Sequence, residues 1–179
     1  MLWKPSSIIF LTGASVISGA SLAHAKIYIS VDQVQKILFP SSQFTLKPIL
    51  IDQALQASLK KVSGVHYPFR GDHIWRDQAG NYLVIDEVVG KHEMIRYAVG
   101  ITTAGTIQGI EILEYRESYG YEVAAPQWRE QFVGKTARDP LKLNHDIQNI
   151  SGATLSSKHI TDGVKRVMHF YQVALKIAN

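Results

Sequence analysis

The chain of 179 residues contains no cysteine, which excludes disulfides, thiolate metal sites, a cysteine nucleophile and a lipidated cysteine anchor. It also has no long apolar run. The stretch near the amino terminus is diluted by Thr12, Gly13, Ser15, Ser18, Gly19 and Ser21 and falls short of the roughly 20 apolar residues that cross a bilayer. Basic residues do not cluster: the formal net charge is only +4, and Lys60-Lys61 and Lys165-Arg166 are the only doublets. That argues against a nucleic-acid partner, which would call for a basic face. His66, His73, His145, His159 and His169 form no pair at His-x-x-x-His spacing, so no metal site is expected. The Gly-x-Ser-x-Gly elbow, the P-loop and the dinucleotide glycine fingerprint are absent as well, and with them the usual signs of a hydrolase, a nucleoside triphosphatase and a Rossmann domain. No repeat or low-complexity tract is present.

What is present begins with an amino-terminal layout in three parts. Met1-Leu2-Trp3-Lys4-Pro5 precedes Ile8-Ile9-Phe10-Leu11, and small residues lead to Ala23-His24-Ala25. This order reads as a secretory signal peptide, residues 1–25, cleaved after Ala25 to leave the protein in the periplasm; a retained amino-terminal membrane anchor is the alternative. Removing 25 of the 179 residues leaves 154 with a formal charge of +3, a length suited to one domain that buries about two thirds of its unfolded surface.

Val31, Val34, Ile37 and Leu38 share one face of a helix that Pro40 stops. Asp52 is placed to cap a second helix, with Leu55, Leu59 and Val62 facing inward until Gly64. Both helices are expected on one side of a sheet. Strand patterns follow at 72–76, 82–89, 95–102 and 106–115, separated by turns such as Ala79-Gly80-Asn81 and Ala104-Gly105. Such short connections imply antiparallel pairing. Residues 117–149 contain Gly120, Pro126, Gly134 and Pro140 and read mainly as a loop, with Trp128, Phe132 and Val133 in one helical turn; a loop this long is usually functional. Ile160, Val164, Val167, Met168, Tyr171 and Leu175 then recur at helical spacing. That helix is expected to start just after Leu155, capped by Ser156 or Ser157, with Asp162 in its early turns. The fold class is therefore α+β: an antiparallel twisted sheet packed with helices and ending in an amphipathic helix. Residues 26–70 form a helical amino-terminal segment that packs on a domain spanning residues 71–179.

Ser151-Gly152-Ala153-Thr154-Leu155-Ser156-Ser157 combines small residues, several hydroxyls and a helix start immediately downstream. Free amides at a helix start attract phosphate oxygens, and the aligned dipoles add roughly 0.3 to 1 kcal/mol for a nearby negative charge. Gly152 allows close backbone approach. The same composition also fits an ordinary helix cap that ends a loop.

The segment resembles the flavinylation site of the FMN-binding domain family, which includes the C subunit of the sodium-translocating NADH:quinone reductase and the G subunit of the Rnf complex. Glu117-Ser118-Tyr119-Gly120-Tyr121 resembles the family's upstream Glu-Thr-Pro-Gly-like loop, and Trp128 to Lys135 resembles its aromatic and Gly-Lys segment. The likeness spans roughly residues 82 to 170. It implies FMN esterified through its phosphate to the hydroxyl of Thr154. It also implies that an FAD:protein FMN transferase places the cofactor there, with FAD as donor and AMP released. On this likeness Ser151, Gly152, Ala153, Leu155, Ser156, Ser157, Glu117, Ser118, Tyr119 and Gly120 complete the cofactor site. Two positions depart from the family pattern: Gln148 stands six residues before the acceptor where Asp is usual, the nearest acid being Asp146, and Tyr119 replaces Pro.

Tyr119, Tyr121 and Trp128 could stack on the flavin or pack in the core. Glu117 could bond the flavin, brace its loop or be solvated. His92 lies in a polar turn, where it could tune flavin protonation, face a partner or be an ordinary surface residue, and His159 is close in sequence to the phosphate segment. With no substrate-processing constellation in view, the resemblance implies an electron-transfer component with a membrane redox partner, not a self-contained enzyme. Its alternatives are a noncovalent FMN-binding or sensory module and a flavin-free envelope scaffold.

Overall fold

The computed structural model describes residues 27–176, so the signal segment lies outside the described residues. Six strands form one antiparallel sheet: β1 (Ile27–Tyr28), β2 (Phe44–Leu46), β3 (Ile74–Asp77), β4 (Tyr82–Val89), β5 (Met94–Ile101) and β6 (Ile107–Tyr115). Their spatial order is β1-β6-β5-β4-β3-β2. The four central strands follow one another in sequence through short turns, as their spacing implies. The amino-terminal segment supplies both edge strands as well as α1 (Val31–Leu38) and α2 (Gln53–Ser63), and a single-turn helix, α3 (Pro126–Arg129), lies in the segment after β6.

Alternation along β4 divides the interior in two. Leu83 and Ile85 point to one face, where they meet Val34, Leu38 and Phe39 from α1 and its end, together with Ala98 and Leu113. Tyr82, Val84 and Val88 point to the other, larger core, which holds the apolar face of the last helix, α4 (Thr154–Phe170). The six residues expected to face inward are all buried: Ile160, Val164, Val167 and Met168 on α4, and Tyr171 and Leu175 in the π-helical turn, Tyr171–Leu175, that continues it.

The two amino-terminal helices do not share a side of the sheet. α1 sits on the face of Leu83 and Ile85, whereas α2 packs against α4 on the opposite face. Each helix shows an apolar stripe in sequence, but a stripe alone does not say which sheet face it meets. The seat for α1 is made by two paired glycines, Gly100 and Gly109. A Cβ at Gly109 would stand 2.8 Å from Leu38 Cδ2, and one at Gly100 would stand 2.8 Å from Phe39 Cε2. The buried stripes are also narrower than expected, since Ile37 and Val62 are exposed.

Asp52 caps α2 as expected, its Oδ1 accepting from the Leu55 amide at 2.8 Å. One polar cluster lies inside the larger core. Arg166 on α4 is 1% exposed and donates from Nη2 to both carboxylate oxygens of Asp86 on β4 at 2.8 Å. It also donates to the carbonyls of Glu87 and Tyr67, and the Tyr97 hydroxyl donates to Asp86 at 2.6 Å. Helix, sheet and the loop after α2 are thereby tied together. Burial pushes the Asp86 carboxyl up while Arg166 and Tyr97 pull it back.

Candidate functional site

α4 begins at Thr154, earlier than its sequence pattern suggests, with Ala153 as the N-cap and no side chain capping it. Neither serine proposed as a cap performs that role, because both hydroxyls fall within the first turn. Ser157 is fully buried and donates to the Ala153 carbonyl at 2.6 Å, while Ser156 turns inward and shares a 2.9 Å hydrogen bond with the Tyr115 hydroxyl. The first amides of a helix have no intrahelical acceptor, so those at the start of α4 face the loop without a side-chain partner. Thr154 itself is exposed. Asn149 Nδ2 donates to its Oγ1 at 3.1 Å.

Gly152 reaches this helix start with φ +84°, and a Cβ there would meet no protein atom within 4 Å. The left-handed backbone requires glycine, and the space beside it stays open. Across from it runs the segment after β6. Gly120 has φ +88°, and a Cβ on it would lie 2.6 Å from Tyr115 Oη and 2.9 Å from Ser156 Oγ. That close approach lets Tyr115 donate to the Tyr119 carbonyl at 2.5 Å. Burial pushes the Tyr115 phenol up, keeping it a neutral clasp between the two loops.

These loops enclose a cleft of about 470 Å³ lined by Glu117, Ser118 and Tyr119 on one side, Gly152 to Ser156 on another, and Lys91 and His92 from the β4–β5 turn. Of the residues proposed from sequence, the cleft brings together Glu117, Ser118, Tyr119, Gly152, Ala153, Thr154, Leu155 and Ser156. Ser151 is exposed outside the lining, Ser157 is buried beneath it, and Gly120 stands behind it as a spacer.

Glu117 braces the β4–β5 turn. Its Oε1 accepts from the amides of His92 at 2.6 Å and Glu93 at 2.9 Å. A Cβ at Gly90 would collide with the same carboxylate. Burial alone would raise the Glu117 carboxyl, but the amides of Glu93, His92 and Lys91 outweigh it and hold the group below its ordinary value.

The aromatic candidates separate clearly. Tyr119 is 80% exposed and lines the cleft. Trp128 does not; it packs edge-on against Phe132, with ring centroids 5.2 Å apart, and its Nε1 donates to the Gln148 carbonyl at 2.8 Å. Tyr121 is exposed outside the lining. His159 lines a smaller neighbouring cavity of about 220 Å³ with His66, Tyr67 and Val88. Sequence reading missed Lys91, Asn149 and Tyr115. Asn149 is five residues before Thr154, a legible proximity, but Lys91 is 63 positions from Thr154 in sequence and only the sheet brings it near.

The arrangement suits a flavin nucleotide. An exposed hydroxyl and uncapped amides can hold a phosphate, the cleft volume is within the usual range for small-ligand sites, and Tyr119 and Leu155 offer apolar surface to a ring system.

Residues 90–169 match the family described as FMN-binding domain. The chain is 33% identical over 87 residues to the G subunit of the Na(+)-translocating ferredoxin:NAD(+) oxidoreductase complex of Acetobacterium woodii, an overlap covering 44% of this chain and 42% of that one. It is 28% identical to the C subunit of the Na(+)-translocating NADH-quinone reductase of Vibrio anguillarum, covering 94% of this chain and 66% of the relative. With the G subunit of the ion-translocating oxidoreductase complex of Aliivibrio fischeri it shares 25% identity over 44% of its own length and 42% of the relative's. The chain thus spans between 42% and 66% of the length of these relatives. The matched segment contains the β4–β5 turn, the loop after β6 and the start of α4, the three pieces that build the cleft.

Proposed function

We propose that this chain is an exported electron carrier that holds FMN through a phosphoester to Thr154 Oγ1 and exchanges electrons with a membrane redox protein. The observation that carries this reading is the exposed Thr154 hydroxyl at the uncapped start of α4, opening on the cleft inside the FMN-binding segment. The names of the relatives as oxidoreductase subunits support an electron-transfer role. The amino-terminal layout supports export, with residues 1–25 removed and the carrier in the periplasm. No helix of the described residues is long and apolar enough to cross a membrane.

FMN supplies one- and two-electron transfer when bound. The chain's own residues hold and orient it. In the attachment step the Thr154 hydroxyl gives up its proton, its oxygen bonds to the FMN phosphorus of FAD, and the pyrophosphate bond breaks to release AMP; an FAD:protein FMN transferase is the catalyst. Asn149, donating to Oγ1, fixes the direction of the hydroxyl. The amides at the start of α4 and the open space at Gly152 receive the phosphate, and Tyr119 and Leu155 face the rings. A phosphoester also removes dependence on free FMN, because occupancy no longer follows ligand concentration.

One observation favours a noncovalent flavin module as a second reading. Gln148 occupies the position where the family carries Asp, its amide donating to Gln131 Oε1 at 2.7 Å. Asp146 does not substitute for it: its carboxylate accepts from the amides of Leu141 and Lys142 and pairs with Lys135 at 3.2 Å.

Intact-mass measurement on protein exported from a host with the transferase decides between the two. The expected wild-type mass is that of residues 26–179 plus FMN less one water, and Thr154→Ala should lack the flavin increment. An unmodified wild type that releases yellow chromophore on denaturation would establish the noncovalent reading instead.

A further inference from the structure

The cations near the cleft differ in how they are used. Lys158 pairs with Asp162 at 2.5 Å, Lys135 with Asp146, and Arg116 with Glu114. Lys91 lines the cleft, and among the described residues its ammonium has no acidic partner. It is also not loosely placed. Its turn is closed by the Gly90 amide donating to the Glu93 carbonyl at 2.8 Å and is bolted to the segment after β6 through Glu117 Oε1. A Cβ at Gly90 would stand 2.4 Å from that carboxylate oxygen, so the turn and Glu117 could not both keep these positions with a larger residue there. Among the described residues Glu117 is the only acid lining the cleft, and its oxygen facing the turn is occupied by amides. The electropositive end of α4 and an uncommitted ammonium therefore border one concavity, an arrangement that favours an anion between them.

We propose that Lys91 is the counter-ion of the phosphate carried at Thr154, and that Glu117 is a positioning residue which holds the Lys91 turn across the cleft from α4. The proposal rests on attachment at Thr154. It assigns charge neutralisation of the bound nucleotide to a residue outside the flavinylation segment and outside the loop after β6. A flexible lysine suits the task, since it acts as a point charge and needs no planar geometry.

The test uses the exported full chain loaded by the transferase, comparing wild type with Lys91→Gln, Lys91→Arg and Lys158→Gln, the last removing a neighbouring cation that already has a partner. Loading is followed by intact mass, and the phosphorus-31 resonance of the loaded protein is recorded from low to high salt. Lys91→Gln should load up to about fivefold more slowly, the range of an exposed charge pair. Its resonance should be displaced from wild type and lose its salt dependence. Lys91→Arg should restore both, and Lys158→Gln should behave as wild type. If wild type is fully loaded and Lys91→Gln matches it in rate and resonance, or if Lys158→Gln shifts the resonance equally, the counter-ion role is overturned while attachment stands. A wild type without flavin mass or a phosphorus signal overturns attachment itself, and the counter-ion role with it.

Discussion

The two ends of α4 are built on opposite terms. From Ile160 to Phe170 the helix is sunk in the larger core, and Arg166 is locked into Asp86 and two carbonyls. In the first turn Thr154 and Leu155 are exposed, and the amides lack a side-chain cap. The buried half fixes where the helix points, so the exposed half can offer a hydroxyl and free amides without contributing much to stability. Site chemistry and fold energetics thus occupy the same helix a few turns apart, and substitutions should separate them.

The hardest break is at the buried end. Arg166→Met leaves the Asp86 carboxylate buried without its cation, which costs about 3 to 5 kcal/mol; a denaturant titration should show the loss, and a variant within experimental error of wild type would mean that the pair contributes nothing. The middle of the range belongs to the brace between the two regions. Glu117→Ala strips acceptors from the amides of His92 and Glu93 and should cost about 1 to 2 kcal/mol. Because the native carboxyl is held below its ordinary value, its contribution is complete above the ordinary carboxylate range and is lost as pH falls through the lowered native value. The stability gap between wild type and Glu117→Ala should therefore persist from neutral pH downward and close only in acid. A gap that widened on acidification would contradict an ionised brace. The smallest effect is expected at the functional end, where Thr154→Ala removes an exposed hydroxyl and should change stability by no more than about 0.5 kcal/mol, although the same variant is expected to lose the flavin mass entirely. A large loss of stability there would erase the contrast between the two ends.

Much of this was readable in the chain. The four central strands, the Asp52 cap and the buried stripe from Ile160 to Leu175 follow from local periodicity and turn chemistry, which act over a few residues. Each of the cleft's two main walls is a contiguous motif, Glu117 to Tyr119 and Gly152 to Ser156. The cap assignments fail because a local pattern does not show which acceptor or donor each hydroxyl will meet. Ser156 and Ser157 resemble caps, yet Tyr115 and the Ala153 carbonyl claim their hydroxyls. Trp128 fits stacking and core packing equally well in sequence, and Phe132 and the Gln148 carbonyl decide for packing by taking its ring and its N–H.

The sequence by itself determined the α+β class and the antiparallel order of the central strands, because each depends on neighbours close along the chain. Only the tertiary structure decided that α1 and α2 lie on opposite faces of the sheet, that Glu117 holds the β4–β5 turn, and that Lys91 borders the same cleft as Thr154. These outcomes depend on which surfaces fit and which charges meet after the sheet has closed, and residues far apart in the chain carry no local mark of that meeting.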